Sequence, residues 1–264
     1  MEFTYEEGWD VQCLSPEDQL LLSLMKIRND FAFIDLAFRF GVSERTARVV
    51  FSTLLKVLHV GLFEGIMMKH VPSLEKCQTS APACLKDFPT CRFIIDCTEI
   101  HCNPPRKGMD VKNIVYSHYK GSTTFKALIA VAPNGTITFV SPLYGGSTSD
   151  KAITKHSGFL EILKPGDLIL ADKGFRIQDI MPTGVTVNVP PFLYSEQFTV
   201  AEAKVTTAIA RARIHVERAI QRIKCFRILD EFICYERKNA SNIFQVCAAL
   251  ANLQGPLLKE TENL

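Results

Sequence analysis

The chain has 264 residues, 30 basic and 28 acidic side chains, a formal net charge of +2 and 47% hydrophobic residues. This composition belongs to a globular protein of one or two domains and excludes a disordered or fibrous chain. A near-neutral total gives no global pull on nucleic acid, but whole-chain charge can hide a local patch, and Arg211 to Lys224 holds five basic residues against the single acid Glu217.

In chain order, the acidic start MEFTYEEGWD is not expected to act as a secretory leader, and no stretch reads as a membrane span. Ser15-Pro16-Glu17-Asp18 predicts a helix start, followed by Leu20, Leu21, Leu24 and Ile27 at helical spacing. Asp30 is the expected cap of a second helix, which Gly41 ends. Ser43-Glu44-Arg45 opens a third, with Ala47, Val50, Phe51, Leu54, Val57 and Leu58 as its apolar stripe. Two helices joined across Phe40-Gly41-Val42-Ser43 have the form of a helix-turn-helix. The outward residues of its reading helix include Arg45, Thr46, Arg48, Ser52 and Lys56, types suited to phosphate and base-edge contacts; an ordinary helical hairpin with a basic face fits the same pattern. The expected organisation is a helical domain over 1–72, a Pro-containing connector over 73–91 and a second domain over 92–264.

The second part opens with Arg92–Thr98, an apolar run containing Asp96. Thr124–Val131 and Thr136–Val140 flank Pro133-Asn134-Gly135 as a hairpin. A short helix from Lys151 to His156, a strand Asp167–Asp172 and a strand Val185–Val189 follow. Thr199-Val200-Ala201-Glu202 reads as a capping box opening a helix to Cys225, and a last helix covers Ala240–Leu253. This order predicts an α/β fold, a mixed sheet with flanking helices.

Asp96 and Asp172 both end apolar runs, where α/β sheets gather ligands. If their strands are neighbours, the two carboxylates stand side by side, and Glu217 can approach from the long helix at the edge of its buried stripe. Three such acids need a cation, and Mg²⁺ or Mn²⁺ takes oxygen ligands. Two ions about 4 Å apart can activate water and stabilise a leaving oxygen in phosphodiester cleavage. Asp150 rivals Asp172 but reads as a helix cap. Asp167 reads as a turn residue. Glu99 has the opposite strand parity to Asp96, and His101 and His215 read as surface or supporting groups. The nine cysteines, an odd number with no C-x-x-C pair, read as reduced intracellular thiols, and a zinc site from Cys97, His101 and Cys102 has poor spacing.

Five segments occur in order: Ile94–Ile100, Tyr116–Lys120, Gly145–Lys151, Leu170–Phe175 and Arg211–Arg218. Together they resemble the DDE superfamily endonuclease domain of PIF/Harbinger-type transposases, over about residues 90 to 235, and the N-terminal part resembles the helix-turn-helix that often precedes it. The resemblance implies an RNase H-like fold and carries the catalytic acids onto Asp96, Asp172 and Glu217, the last two 45 positions apart. It implies Mg²⁺- or Mn²⁺-dependent cleavage of double-stranded DNA at transposon-like ends, with two ions, and strand transfer in true transposases. Arg211, Arg213, Arg218 and Lys224 are then expected on DNA phosphates near the cut. The resemblance also implies action in the nucleus. With no strong Lys/Arg-rich import signal, a Myb-like partner and a cytoplasmic pool are expected as well, and the family's habit of pairing two DNA ends suggests a homo-oligomer. The chain reads as a whole domesticated gene or a fragment of an element. The alternative is a non-cleaving DNA-binding or scaffold protein working through its helix-turn-helix.

Overall fold

Ser15 starts the first helix as its sequence predicts: its side chain accepts the Asp18 amide at 3.1 Å and Pro16 takes the first turn. A computed structural model describes residue 5 and residues 11–105, 108–190, 200–232 and 236–257. The N-terminal helices are α1 (Pro16–Asn29), α2 (Phe33–Phe40) and α3 (Glu44–Leu58), the last running on as a π-helix over His59–Met68. The buried face of α1 is Gln19, Leu22, Ser23, Lys26 and Ile27, whereas Leu20 and Leu21 face outward. The polar members of that face are satisfied locally: Gln19 donates to the Val11 and Leu14 carbonyls, and Lys26 pairs with Asp30 at 2.5 Å. An apolar stripe alone therefore misplaces this helix. Asp30 does not cap α2. It closes α1 in a left-handed conformation at φ 54°, and Ala32 precedes α2. Gly41, at φ 65°, makes the turn into α3, whose cap Ser43 accepts the Thr46 amide at 3.0 Å.

Glu44–Met68 is, by length and apolar composition, long enough to cross a membrane, which corrects the sequence expectation. In this fold its residues Ala47, Val50, Leu54, Leu55, Phe63 and Met67 are buried in the protein core. The connector is not featureless either, since Ser73 caps α4 (Leu74–Thr79).

The strands are β1 (Cys91–His101), β2 (Tyr116–Ser117), β3 (Ser122–Val131), β4 (Ile137–Val140), β5 (Tyr144–Gly145), β6 (Leu168–Leu170) and β7 (Thr186–Asn188). Between and after them lie α5 (Met109–Val115), α6 (Asp150–His156), α7 (Val200–Lys224) and α8 (Ala240–Asn252). The spatial order is β2-β3-β1-β6-β7, with β4 and β5 also paired to β3. β1 runs antiparallel to β3 and parallel to β6, which is parallel to β7. This is the mixed sheet with flanking helices expected of an RNase H-like fold. Helices α5 and strands β2 and β5 are additions that the sequence pattern did not reveal, being too short to show a period.

Alternate residues of the sheet feed two cores. Ile94, Ile129 and Leu170 join the cluster that contains Ile209, Ala212, Val216, Ile220 and Ile223 of α7. Phe93, Ile95, Leu128 and Ile169 join the other, with Ile153 of α6 and Phe159. The expected α7 stripe is thus buried from Ile209 onward, while Thr199 and the side chains of Ala201 and Val205 lie outside the described residues. The first cluster does not stop at a domain boundary. It runs from Leu22, Leu55 and Phe63 into Phe244 and Cys247 of α8. His59 Nε2 meets Gln245 Oε1 at 2.7 Å, and Arg28 donates to the Cys225 carbonyl at 2.7 Å.

Candidate active site

The register of two parallel strands builds the site. Ile94 of β1 pairs with Leu170 of β6. Asp96 lies two residues past the first and Asp172 two past the second, so both reach the same level at the carboxyl ends of adjacent strands. β6 stops at Leu170 while β1 continues to His101, which leaves the edge of β1 open beyond that point. A cleft of about 620 Å³ opens there, lined by Asp96, Asp172, Asp150, Lys126, Arg213 and Lys224 among others.

Arg213 of α7 is the common neighbour of the three predicted acids. Its guanidinium nitrogens lie 3.0 Å from Asp172 Oδ1, 3.7 Å from Glu217 Oε1 and 4.0 Å from Asp96 Oδ2. Glu217 follows Arg213 by one helical turn and is 55% exposed, so it reaches the guanidinium without lining the cleft. Asp96 is the least exposed of the three, at 23% against 47% for Asp172. Burial raises its carboxyl to about 6, opposed by Arg213 and by the Cys97 amide that donates to it at 2.8 Å; Asp172 and Asp150 add to the rise.

Asp150 belongs to this site, contrary to its reading as a cap. Ser149 caps α6, accepting the Ala152 amide at 3.2 Å, and the Asp150 carboxylate instead pairs with Lys126 at 2.6 Å inside the cleft. Glu99 sits opposite Lys126 in the β1–β3 ladder, as its parity requires, and accepts from Thr124 at 2.6 Å. It also lines the cleft, because the open edge of β1 is accessible from both faces. Neither feature was visible in spacing, since both depend on how α6 and β3 dock. Tyr119 and Lys120 at the turn before β3 also line the cleft, and Tyr119 is 85% exposed. The segment Tyr116–Lys120 had carried the only sequence signal for them.

The basic residues expected near the cut separate. Arg213 and Lys224 face the cleft, and burial lowers the Lys224 ammonium. Arg211 and Arg218 are exposed and lie about 140–160° around α7 from Arg213, at ~100° per residue. On α3, Arg45 and Arg48 are exposed; Arg48 pairs with Glu44 at 2.5 Å over the Phe33 ring, and Thr46 Oγ1 is 2.8 Å from Ser43 Oγ.

His215 is not a surface group. It is buried, its Nε2 meets Cys84 Sγ at 3.3 Å, and burial followed by Arg218 pushes its pKa down. His101 is exposed and sits 3.3 Å from Ser122 Oγ. Asp167 is more than a turn residue: it makes a fully buried ion pair with Arg92 at 2.7 Å. The eight described cysteines are free. Burial and the nearby Asp150 hold the Cys97 thiol well above its ordinary value. Among the described residues no three His, Cys, Asp or Glu side chains are placed to share one ion. For the three acids, the Arg213 guanidinium stands where they converge.

Comparison with protein-family models gives a DDE superfamily endonuclease over residues 95–252. That match covers more than half of the chain. The chain belongs to the DDE superfamily endonucleases. A second model, the helix-turn-helix of DDE superfamily endonuclease, matches residues 12–64, which links α1–α3 to DNA binding. No curated protein and no solved structure matches the chain. Nucleases of the DDE superfamily generally use divalent metals.

Proposed function

We propose that this DDE superfamily endonuclease cuts phosphodiester bonds in double-stranded DNA, with Asp96, Asp172 and Glu217 holding Mg²⁺ or Mn²⁺. The observation that carries this reading is the β1–β6 register together with Arg213, which joins all three acids to one positive group. Carboxylate oxygens are the donors these ions prefer, and all three acids already face one positive group, so their chemistry suits a divalent cation once the Arg213 guanidinium moves from between them. When bound, two such ions supply water activation and stabilisation of the leaving oxygen.

The protein's own side chains do the rest. Lys126, Lys224 and Arg213 bring positive charge to the cleft and hold the phosphate. Lys126 also pairs with Asp150, which offsets part of the charge that this fourth carboxylate brings near Asp96. The exposed face of α3 binds the duplex and sets where the cleft meets it.

Nicking of supercoiled plasmid tests this reading. The wild type is expected to nick only with Mg²⁺ or Mn²⁺, and Asp172→Asn to bind DNA without nicking. Undiminished nicking by Asp172→Asn would refute the assignment. DNA binding without nicking by the wild type in either metal would favour the non-cleaving binder.

A further inference from the structure

The cleft carries a cation of its own. Arg213 is 16% exposed, and its terminal nitrogens reach Asp172, Glu217 and Asp96 within 3.0–4.0 Å. Its Nε is buried without a hydrogen-bond partner, so the guanidinium's described contacts are the acids alone. A guanidinium keeps its charge at any working pH. It is also the side chain best shaped to grip a phosphate with two parallel hydrogen bonds. A divalent ion and this guanidinium cannot occupy the same point, because both need the same oxygens and repel each other. Lys120, Lys126 and Lys224 surround the cleft and draw a phosphate toward it.

We propose that Arg213 is a gate coupling DNA binding to metal binding. In the DNA-free protein it neutralises the three acids and excludes the ion. An incoming DNA phosphate takes over the guanidinium, which frees Asp96, Asp172 and Glu217 for metal. The inference rests on those acids being the metal-holding groups. It requires that DNA and metal each raise the affinity for the other by one factor, since linkage is reciprocal. Confining the ion to the DNA-bound state would also limit cutting at random encounters.

Mn²⁺ binding to the full-length chain, followed at pH 8 by the paramagnetic signal of the free ion, tests the gate. It is measured with and without a phosphorothioate duplex, after subtraction of binding to the duplex alone. The duplex is expected to tighten Mn²⁺ binding to the wild type by about 5–150-fold. Arg213→Gln is expected to bind Mn²⁺ tightly without DNA and to gain little from it. Arg213→Lys, which keeps the charge, is expected to stay weak without DNA, and its folding controls for that of the Gln variant. The gate is overturned if Arg213→Gln binds no tighter than the wild type without DNA, or if the duplex tightens both alike. Tight binding by Arg213→Gln that survives a second change, Asp172→Asn, overturns the metal assignment itself and the gate with it.

Discussion

Asp96 shows what placing a carboxylate at this site costs the fold. Burial raises it to about 6, so between the ordinary value near 3.9 and about 6 the folded state keeps a proton that the unfolded chain has released. Stability therefore falls as pH rises through that window and stays lower above it. Asp96→Asn removes the charged form and is expected to stabilise the protein by about 1–3 kcal/mol at pH 7, with little effect near pH 4. Denaturant unfolding at the two pH values checks this; equal or lower stability at pH 7 would contradict it. His215 has the opposite sign. Its pKa is lowered, so the unfolded chain takes up a proton first and stability falls as pH drops below about 6.5. At this scale the sequence was partly legible. An apolar run ending in an acid pointed to Asp96 and Asp172. Helical spacing sets Arg213 one turn before Glu217, but nothing in spacing says which cation stands among the three acids. That depends on the distance at which α7 crosses the sheet.

The elements explain the double glycine before α6. A Cβ on Gly146 would collide with Thr124 Oγ1 and come within 3.0–3.1 Å of the Val115 and Thr124 carbonyls, while one on Gly145 would strike the Ile114 carbonyl. Backbone passes backbone there, and Thr124 in turn holds Glu99. Gly146→Ala is expected to cost about 1–3 kcal/mol by overpacking, read as a lower melting temperature. An unchanged melting temperature would show that β5 can move aside. At the other end of the chain, Ser43→Ala should cost about 1 kcal/mol through the lost cap of α3, measured by denaturant unfolding. Long elements with caps or a sustained stripe, such as α3 and α7, were readable from sequence. The outward-facing Leu20 and Leu21 were not, because α1 buries polar residues whose hydrogen bonds are met by nearby carbonyls and by its own last turn.

Over the whole molecule, the helix-turn-helix and the nuclease sheet share a hydrophobic cluster that spans α1, α3, the π-helix and α8. A helix-turn-helix fused through a core fixes the angle between α3 and the cleft, whereas one on a free linker would not. Heating is therefore expected to give one cooperative transition, and a chain lacking residues 1–72 to expose Phe244 and its neighbours and aggregate. Two separate transitions in calorimetry would contradict a shared core. Sequence composition suggested two units with a connector because Pro72, Pro82 and Pro89 interrupt the periodicity; contacts between residues nearly 200 positions apart, such as Arg28 with Cys225, leave no such local trace. The same long-range packing brings β1, β6 and α7 to one point, and that convergence is what the proposed chemistry needs. It is tested most directly by measuring plasmid nicking and duplex binding in parallel for Asp96→Asn, Asp172→Asn and Glu217→Gln in Mg²⁺ and Mn²⁺. Each single change is expected to cut nicking by about 10²–10³-fold or more while duplex binding stays near the wild-type level. Nicking retained by any one of the three would show that its carboxylate is not part of the site.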